Sequence, residues 1–343
     1  MLPDAAAAHY AEQRGITAEV LGVAAELWGS RPPPDFDVWF DRNLPMLLEL
    51  VAAGQGRAMA GSGAYVADVL DELEIDIAAD AAPELGGLVG VASDGRALDS
   101  LMYGAVITAK GGIAEGLSTA QAWGSGLTAL LTRLQVQVAD ASRAATSLHI
   151  TSRDKVGYVR MLNPPSCSRC VLLAGKYYKY NAGFDRHPGC DCRHIPVTEN
   201  KSGDLRTDPQ LYFDVMTPDA QDRQFTKAGA QAIRDGADMN QVINARRGMS
   251  TAQTNLRGWI PSGRLKKERI YGQDIAITDE GKTRRGVAYQ AMSQAGYAER
   301  RTDVRGRRYF EAKAPRLLPE GIYQIATDRA DALRLLKLYG YMT

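Results

Sequence analysis

The chain has 343 residues, a formal net charge of +1 and 45% hydrophobic residues, an ordinary globular composition that is long enough for two or three domains. It contains no apolar run near the ~20 residues that cross a bilayer. The segment Met1 to Glu12 has no basic region ahead of an apolar core, so we expect neither a membrane span nor a signal peptide.

The small net charge hides a division of the chain. Residues 1–150 carry 8 Lys and Arg against 19 Asp and Glu, whereas residues 151–343 carry 33 against 21. This asymmetry predicts an acidic part that meets protein and a basic part that meets nucleic acid or an acidic surface. The alternative is that the two parts neutralise each other.

Residues 1–150 are predicted to form an acidic helical domain. One or two helices precede the proline stop at 31–34, and a second pattern runs from Phe36 to about Leu73 with a break at Gly61-Ser62-Gly63. The apolar faces predicted to be buried comprise Val20, Val23, Ala24, Leu27 and Trp28 in the first pattern, and Trp39, Leu44, Leu47, Leu48 and Val51 in the second.

The remainder of this domain alternates between loop and helix. Residues 76–97, rich in Ala, Gly and Asp, are predicted to be a loop. Helical periodicity returns from Asp99 to about Leu148, and we expect it to be divided at Gly111-Gly112 and at Gly124-Ser125-Gly126.

Residues 151–200 form a Cys/His-rich module. All four cysteines of the chain lie here, as Cys167 and Cys170 in one limb and Cys190 and Cys192 in the other, with His187 just before the second pair. A strand is predicted near Val156–Val159, followed by a hairpin in which residues 171–173 and 176–178 pair around Ala174-Gly175.

This spacing predicts a structural Zn²⁺ site. A Cys-x-x-Cys turn points two thiolates at one position, and a second Cys/His cluster completes a tetrahedron. We expect Cys167 and Cys170 as ligands, with the other two among His187, Cys190 and Cys192. His194 is assigned to the second shell or the surface. The alternatives are disulfides, which rarely persist in the cytosol, and four unconnected thiols.

The same residues carry a family resemblance. The Cys-x-x-Cys, the segment 173–176 and Arg186-His187-Pro188-Gly189-Cys190-Asp191-Cys192 resemble the Mu F-like minor head proteins of tailed phages. Weaker similarity to the version in phages of actinobacteria extends over Phe36–Val51, Phe225–Gly248 and Pro315–Glu320. The resemblance implies a non-enzymatic minor capsid protein in the virion, assembled in the host cytoplasm. Its implied partners are the portal protein, the major capsid or scaffolding protein, and packaged double-stranded DNA, with no membrane.

Residues 201–343 are predicted to be basic and mainly helical. Thr217-Pro218 starts a helix that continues to Gly236, and a second helix runs from Met239 to Arg247, an outline also found in helix–turn–helix DNA-binding proteins. A last helix is expected to start at Thr327-Asp328 and to stop at Gly340.

The segment 250–315 is the most basic part of the chain. Phosphate contact with duplex DNA and a merely solvated basic surface both remain open. The residues predicted to bind nucleic acid are Arg264, Lys266, Lys267, Arg284, Arg285, Arg307 and Arg308.

The sequence offers little support for an enzyme. It has no phosphate-binding Gly-rich motif and no His-Glu-x-x-His. His149, with Ser147 and Ser152 nearby, is the weak basis for an alternative function, a capsid maturation protease. A zinc-dependent DNA-binding protein unrelated to capsids is a further alternative. The predicted fold is therefore mainly α, with a small α+β zinc-knuckle-like module in the middle.

Overall fold

The fold is taken from a computed structural model. It describes residues 2–162, 166–182, 192–205, 208–246, 266–270, 273–281, 286–296, 298–302, 306, 308–312 and 316–342. The chain divides into two compact units. The N-terminal unit comprises Met1–Ser166 and Leu173–Thr207, and the C-terminal unit comprises Cys167–Leu172 and Asp208–Thr343. The described residues are mainly helical, as predicted, and no helix among them is long and apolar enough to span a bilayer.

Five α-helices build most of the N-terminal unit. They are α1 Asp4–Trp28, α2 Phe36–Ala60, α3 Ser62–Glu72, α4 Leu98–Ala114 and α5 Thr119–Thr151. The break between α2 and α3 falls at Gly61, within the predicted glycine pair, and Asp35 caps α2 by accepting from the main-chain N–H groups of Asp37 and Val38. Between α3 and α4 the chain is a loop with one 3-10 turn at Gly86–Leu88.

Indole packing holds α1 against α5. The rings of Trp28 and Trp123 stack with centroids 3.9 Å apart, and each indole N–H donates to a carbonyl across the interface: Trp28 to the oxygen of Trp123, and Trp123 to that of Gly29. Trp28, Ala24 and Val20 are buried as predicted, but Val23 is 51% exposed, because it lies about 100° around the helix from Ala24, at the centre of the buried face.

Neither predicted break in this region falls at its glycines. Gly111-Gly112 lies inside α4, whose last residue is Ala114, and Gly124-Ser125-Gly126 lies inside α5. The division falls between the two helices, where Ser118 and Gln121 form a reciprocal capping box. A Cβ on Gly126 would come within 2.8 Å of Trp28 and 3.0 Å of Ala109. This glycine therefore serves close helix packing rather than helix termination.

A three-stranded antiparallel sheet follows the helices. Its strands are β1 Val156–Met161, β2 Tyr177–Tyr178 and β3 Arg193–Thr198, in the order β2–β1–β3. The predicted first strand is confirmed, but residues 171–173 belong to helix α6, Ser168–Leu173, rather than to a hairpin strand. A run of three apolar residues fits a buried helical turn as well as it fits a strand, which is why the pattern misled.

The C-terminal unit combines short helices with β-hairpins. Its described helices are α7 Pro209–Asp214, α8 Pro218–Phe225, α9 Lys227–Arg234, α10 Met239–Ala245, α11 Val287–Gln294, α12 Pro319–Ile325 and α13 Arg329–Leu338. Its described strands are β4 Lys266–Ile270, β5 Gln273–Thr278, β6 Ala298–Thr302, β7 Arg308–Ala312 and β8 Arg316–Leu317. They form a β4–β5–β8 sheet and a β6–β7 hairpin, neither of which we predicted.

The predicted helix starts in this unit are confirmed at Thr217 and Asp328, whose side chains cap α8 and α13. The helix expected to run from Thr217 to Gly236 is two helices, because Thr226 adopts a positive φ of 67° and then caps α9 through the main-chain N–H of Gly229. Of the apolar residues predicted in the last helix, Leu336 is buried and Leu333 and Leu338 are half-buried.

Candidate metal centre and its surroundings

Cys167 and Cys170 lie on one turn at the start of α6. Their sulfur atoms are 3.1 Å apart, and the main-chain N–H of Cys170 donates to the sulfur of Cys167 at 3.4 Å. A disulfide bond is about 2.05 Å long, so no disulfide joins these two residues in the structure. Two thiol sulfurs on one turn are the soft ligand type that Zn²⁺ accepts.

The other limb of the cluster is described only in part. His187 and Cys190 lie outside the described residues. Cys192 is 2% exposed and directly precedes β3, where its carbonyl accepts from Nε of Arg143 at 2.8 Å. No group of three or more His, Cys, Asp and Glu residues in the described part of the chain is arranged to hold a metal. Two of the expected donors fit zinc, and the complete ligand set stays a prediction.

His194 is a buried residue rather than a surface one. It is 8% exposed, its Nδ1 lies 3.2 Å from Oγ of Ser147 on α5, and its ring packs against Tyr158 with centroids 4.0 Å apart. The hydroxyl of Tyr65 on α3 donates to its carbonyl at 2.5 Å. These contacts fix the start of β3, and with it Cys192, against α3, α5 and β1.

Sequence reasoning missed a set of buried arginines near this limb. Arg143, Arg160 and Arg193 are between 2% and 5% exposed. Buried guanidinium groups need acceptors, since an uncompensated buried charge costs several kcal/mol. Arg143 bonds Asp140 at 2.8 Å besides Cys192, and Arg193 donates to the carbonyl of Ala139 at 3.4 Å.

These arginines therefore tie α5 to β3. One signal of this burial was available in the sequence. The strand Val156–Met161 is otherwise free of charged residues, and an arginine within such a strand indicates a buried, paired charge rather than a solvent-exposed one. One of these arginines also affects a tyrosine on β2. Burial raises the pKa of Tyr178, and the positive charge of the Arg160 guanidinium partly opposes that rise.

The residues behind the protease alternative do not meet as expected. The hydroxyl of Ser152 donates to the main-chain oxygen of His149 at 2.9 Å, and that of Ser147 faces His194. Neither hydroxyl bonds the ring of His149, which instead lies over Gly63. Burial, and the nearby Arg153, lower the pKa of His149.

The predicted nucleic-acid-binding residues are described only in their main chain, or not at all. Lys266 and Lys267 lie on β4, opposite Ile277 and Ala276 of β5, and Arg308 lies on β7, opposite Thr302. Arg264, Arg284, Arg285 and Arg307 lie outside the described residues. Of the two arginines in the helix–turn–helix outline, Arg246 pairs with Glu320 inside the C-terminal unit, and Arg247 is outside the described residues.

A comparison with known families gives one match. The family model described as VG15 protein matches residues 93–218, a segment that begins before α4 and ends at the start of α8 and includes the whole Cys/His cluster. The match points to a phage protein. It covers just over a third of the chain. No curated protein and no solved structure matches.

Proposed function

We propose that this phage protein is a minor capsid protein that acts in head morphogenesis, associated with the portal or the inner capsid. The observation that carries the proposal is the VG15 match across residues 93–218, which contains the cysteine cluster that resembles Mu F-like minor head proteins. The match itself supports only a phage protein. The step to the head rests on the resemblance.

The structure supports this proposal at a second point. Two stretches outside the matched segment, Phe225–Gly248 and Pro315–Glu320, carry the weaker resemblance to the actinobacterial version. They meet in the C-terminal unit, where Arg246 pairs with Glu320. Contact between stretches that are distant in sequence is what a shared fold requires.

In the proposed mechanism each part of the chain has a separate role. The acidic helices of residues 1–150 dock protein, with the portal and the major capsid or scaffolding protein as candidate partners. Cys167 and Cys170 would hold a bound Zn²⁺, which would cross-link the turn that carries them to the other limb of the cluster. The basic segment 250–315 meets packaged double-stranded DNA through its phosphates.

Coexpression tests the docking role. The full chain is produced with the portal protein and with the major capsid or scaffolding protein encoded in the same phage genome. Co-elution with the portal in size-exclusion chromatography is expected, and elution apart from every coexpressed head protein would overturn the association. The capsid protein is expected to stay uncleaved. Cleavage that disappears in His149→Ala or Ser152→Ala would instead favour a maturation protease.

DNA binding is tested by its salt dependence. Each phosphate contact contributes about 0.9 to the slope of log K against log salt concentration. Replacing Lys266 and Lys267 by Ala should reduce that slope by about 2. The matched control replaces Arg31 and Arg42, two exposed arginines of the N-terminal unit, and should leave it unchanged. Equal loss in both double variants, or no DNA binding, would remove DNA from the proposal.

A further inference from the structure

A groove in the N-terminal unit lies apart from the cysteine cluster. It has a volume of 520 Å³ and is formed by the end of α3, the loop that follows it and Arg153. Leu70 and Ile75, 3% and 8% exposed, give it an apolar floor together with the half-buried Ile77. This volume is within the range of ligand-binding clefts.

Arg153 brings an unsatisfied donor to the groove. The side chain is 9% exposed, and its Nη1 donates to the main-chain oxygen of His149 at 2.6 Å. Its Nε is buried and donates no hydrogen bond within the described part of the chain. Burial of this guanidinium costs free energy, because the hydrogen bonds that it made with water are lost and few protein acceptors replace them. An acceptor from a ligand would offset that cost.

The rim of the groove has the opposite charge. Asp71, Glu74 and Asp76 are exposed around it, and no ion pair links any of them to Arg153 among the described residues. Among the described residues, Lys201 pairs with this rim, with its Nζ 3.9 Å from the carboxylate of Glu74. Rim carboxylates attract a cationic partner and disfavour an anionic one.

The loop on one side of the groove offers main-chain groups as well. Residues 75–79 have no regular secondary structure, and the main-chain groups of Asp76 and Ala78 make no hydrogen bond within the described residues. Alternate residues of an extended segment present their N–H and C=O groups on the same side, which is the pattern with which an added β-strand forms hydrogen bonds.

We propose that this groove binds an extended segment of a partner protein in which basic and apolar residues alternate. Main-chain carbonyls of the segment accept from Arg153 and pair with the loop at Asp76 and Ala78. Its Lys or Arg side chains pair with Asp71, Glu74 and Asp76, and its apolar side chains lie on Leu70 and Ile75. The inference rests on the groove alone and holds whether or not the chain is a head protein.

A labelled peptide provides the test. The probe is fluorescein-Gly-Leu-Lys-Val-Lys-Ile-Lys-Gly-amide, titrated with the full chain and followed by fluorescence anisotropy. The control peptide carries Glu in place of each Lys. Saturable binding of the Lys peptide, with no binding of the Glu peptide, is expected. No binding of the Lys peptide up to about 1 mM chain, or equal binding of both peptides, would overturn the proposal.

Two variants separate the groove from general attraction between charges. Asp71→Asn combined with Asp76→Asn should weaken binding about fivefold, which corresponds to about 1 kcal/mol for the two exposed ion pairs together. Asp41→Asn combined with Glu49→Gln, which removes two exposed charges from α2, should leave it unchanged. Equal weakening by both double variants would mean non-specific attraction and would overturn the site.

Arg153→Lys tests the donor while it keeps the charge. It should weaken binding severalfold, because an ammonium group cannot replace the fork of N–H donors. A thermal melt of this variant shows whether the fold is kept, and the Asp71 and Asp76 double variant provides an independent test if it is not. A folded Arg153→Lys variant that binds as tightly as the native chain would exclude Arg153 from the site.

Discussion

Arg246 and Glu320 form an ion pair across 74 residues of sequence, and Thr226 joins them. Nη1 of Arg246 donates to Oε1 of Glu320 and lies 3.0 Å from Oγ1 of Thr226, whose hydroxyl donates to the same carboxylate oxygen at 3.0 Å. The triad links the end of α10, the start of α9 and the first turn of α12. Both charged side chains are 26% exposed, so solvent screens the pair only in part.

A double-mutant cycle measures this link. Arg246→Ala and Glu320→Ala should each destabilise the chain, and together they should cost less than the sum, with a coupling of about 1 kcal/mol. The measurement is chemical denaturation followed by fluorescence. The control pair is Arg334 and Asp331, three residues apart on α13, with the arginine 65% exposed. Its coupling should stay below about 0.5 kcal/mol. Additive costs at Arg246 and Glu320 would show that the contact contributes nothing.

Removal of one thiol tests the metal prediction. Cys167→Ser should lower the zinc content of protein purified without chelator from one ion per chain to near zero, because the site loses one of four ligands. Elemental analysis provides the number, and the thermal melt of the variant should broaden, since structural zinc sites couple binding to folding. Arg169→Gln, which changes a residue between the two thiols, should retain the zinc. A metal-free native chain would exclude the site.

Gly126 and Gly124 form a matched pair on α5. A Cβ at Gly126 would press on Trp28 and Ala109, so Gly126→Ala should destabilise the chain by about 1–3 kcal/mol. Nothing lies within 4 Å of a Cβ at Gly124, where Ala should stabilise the helix by up to about 1 kcal/mol. Denaturation midpoints of the two variants should therefore move in opposite directions. A shift in the same direction would mean that Gly126 is not needed for the approach of Trp28.

The sequence predicts local features of this fold well because their causes are local. Asp35 and Thr217 cap their helices through their own side chains and the next few residues. Periodicity finds the buried centre of each face, Val20 and Ala24 on α1 and Leu47 and Val51 on α2, but its other choices on α2 (Trp39, Leu44 and Leu48) are half-buried. Sequence reasoning fails where the role of a residue depends on contact with residues that are far away in the sequence. Gly126 has the composition of a helix break, yet its role depends on Trp28, almost a hundred residues earlier.

The same limit applies to the candidate site. The cysteine spacing is visible in the sequence, and the structure shows Cys167 and Cys170 on one turn. The contact that positions Cys192 cannot be read from the sequence, because Arg143, which donates to its carbonyl, lies 49 residues earlier, on α5. The positive φ of Thr226, which splits one predicted helix, also has no local signal, since the residue type rarely adopts it.

The last prediction concerns His9, a buried residue on α1. Its ring stacks on that of Tyr65 with centroids 4.1 Å apart, and it is 8% exposed. Burial, together with the positive charge of Arg193, lowers the pKa of His9 from 6.5 to about 4. The folded chain therefore holds this imidazole neutral over a range in which the unfolded chain binds a proton.

The direction of the pH effect follows from that difference. Between pH 6.5 and about 4 the unfolded state binds more protons at this position, so stability falls as the pH is lowered through that window and is unaffected above it. The contribution is at most about 3 kcal/mol. His9→Gln removes the titrating group and should flatten the dependence of the unfolding free energy on pH between 6.5 and 4, even if it lowers stability at neutral pH.

His149→Gln is the comparison for this measurement. The pKa of His149 is also lowered by burial, but the residue is half-buried, so its effect on the slope should be smaller. Unfolding free energies from denaturant titrations at several pH values between 4 and 7.5 provide both slopes. If His9→Gln kept the native slope, the acid sensitivity would belong to other groups, and the packing of His9 against Tyr65 would carry no cost of protonation.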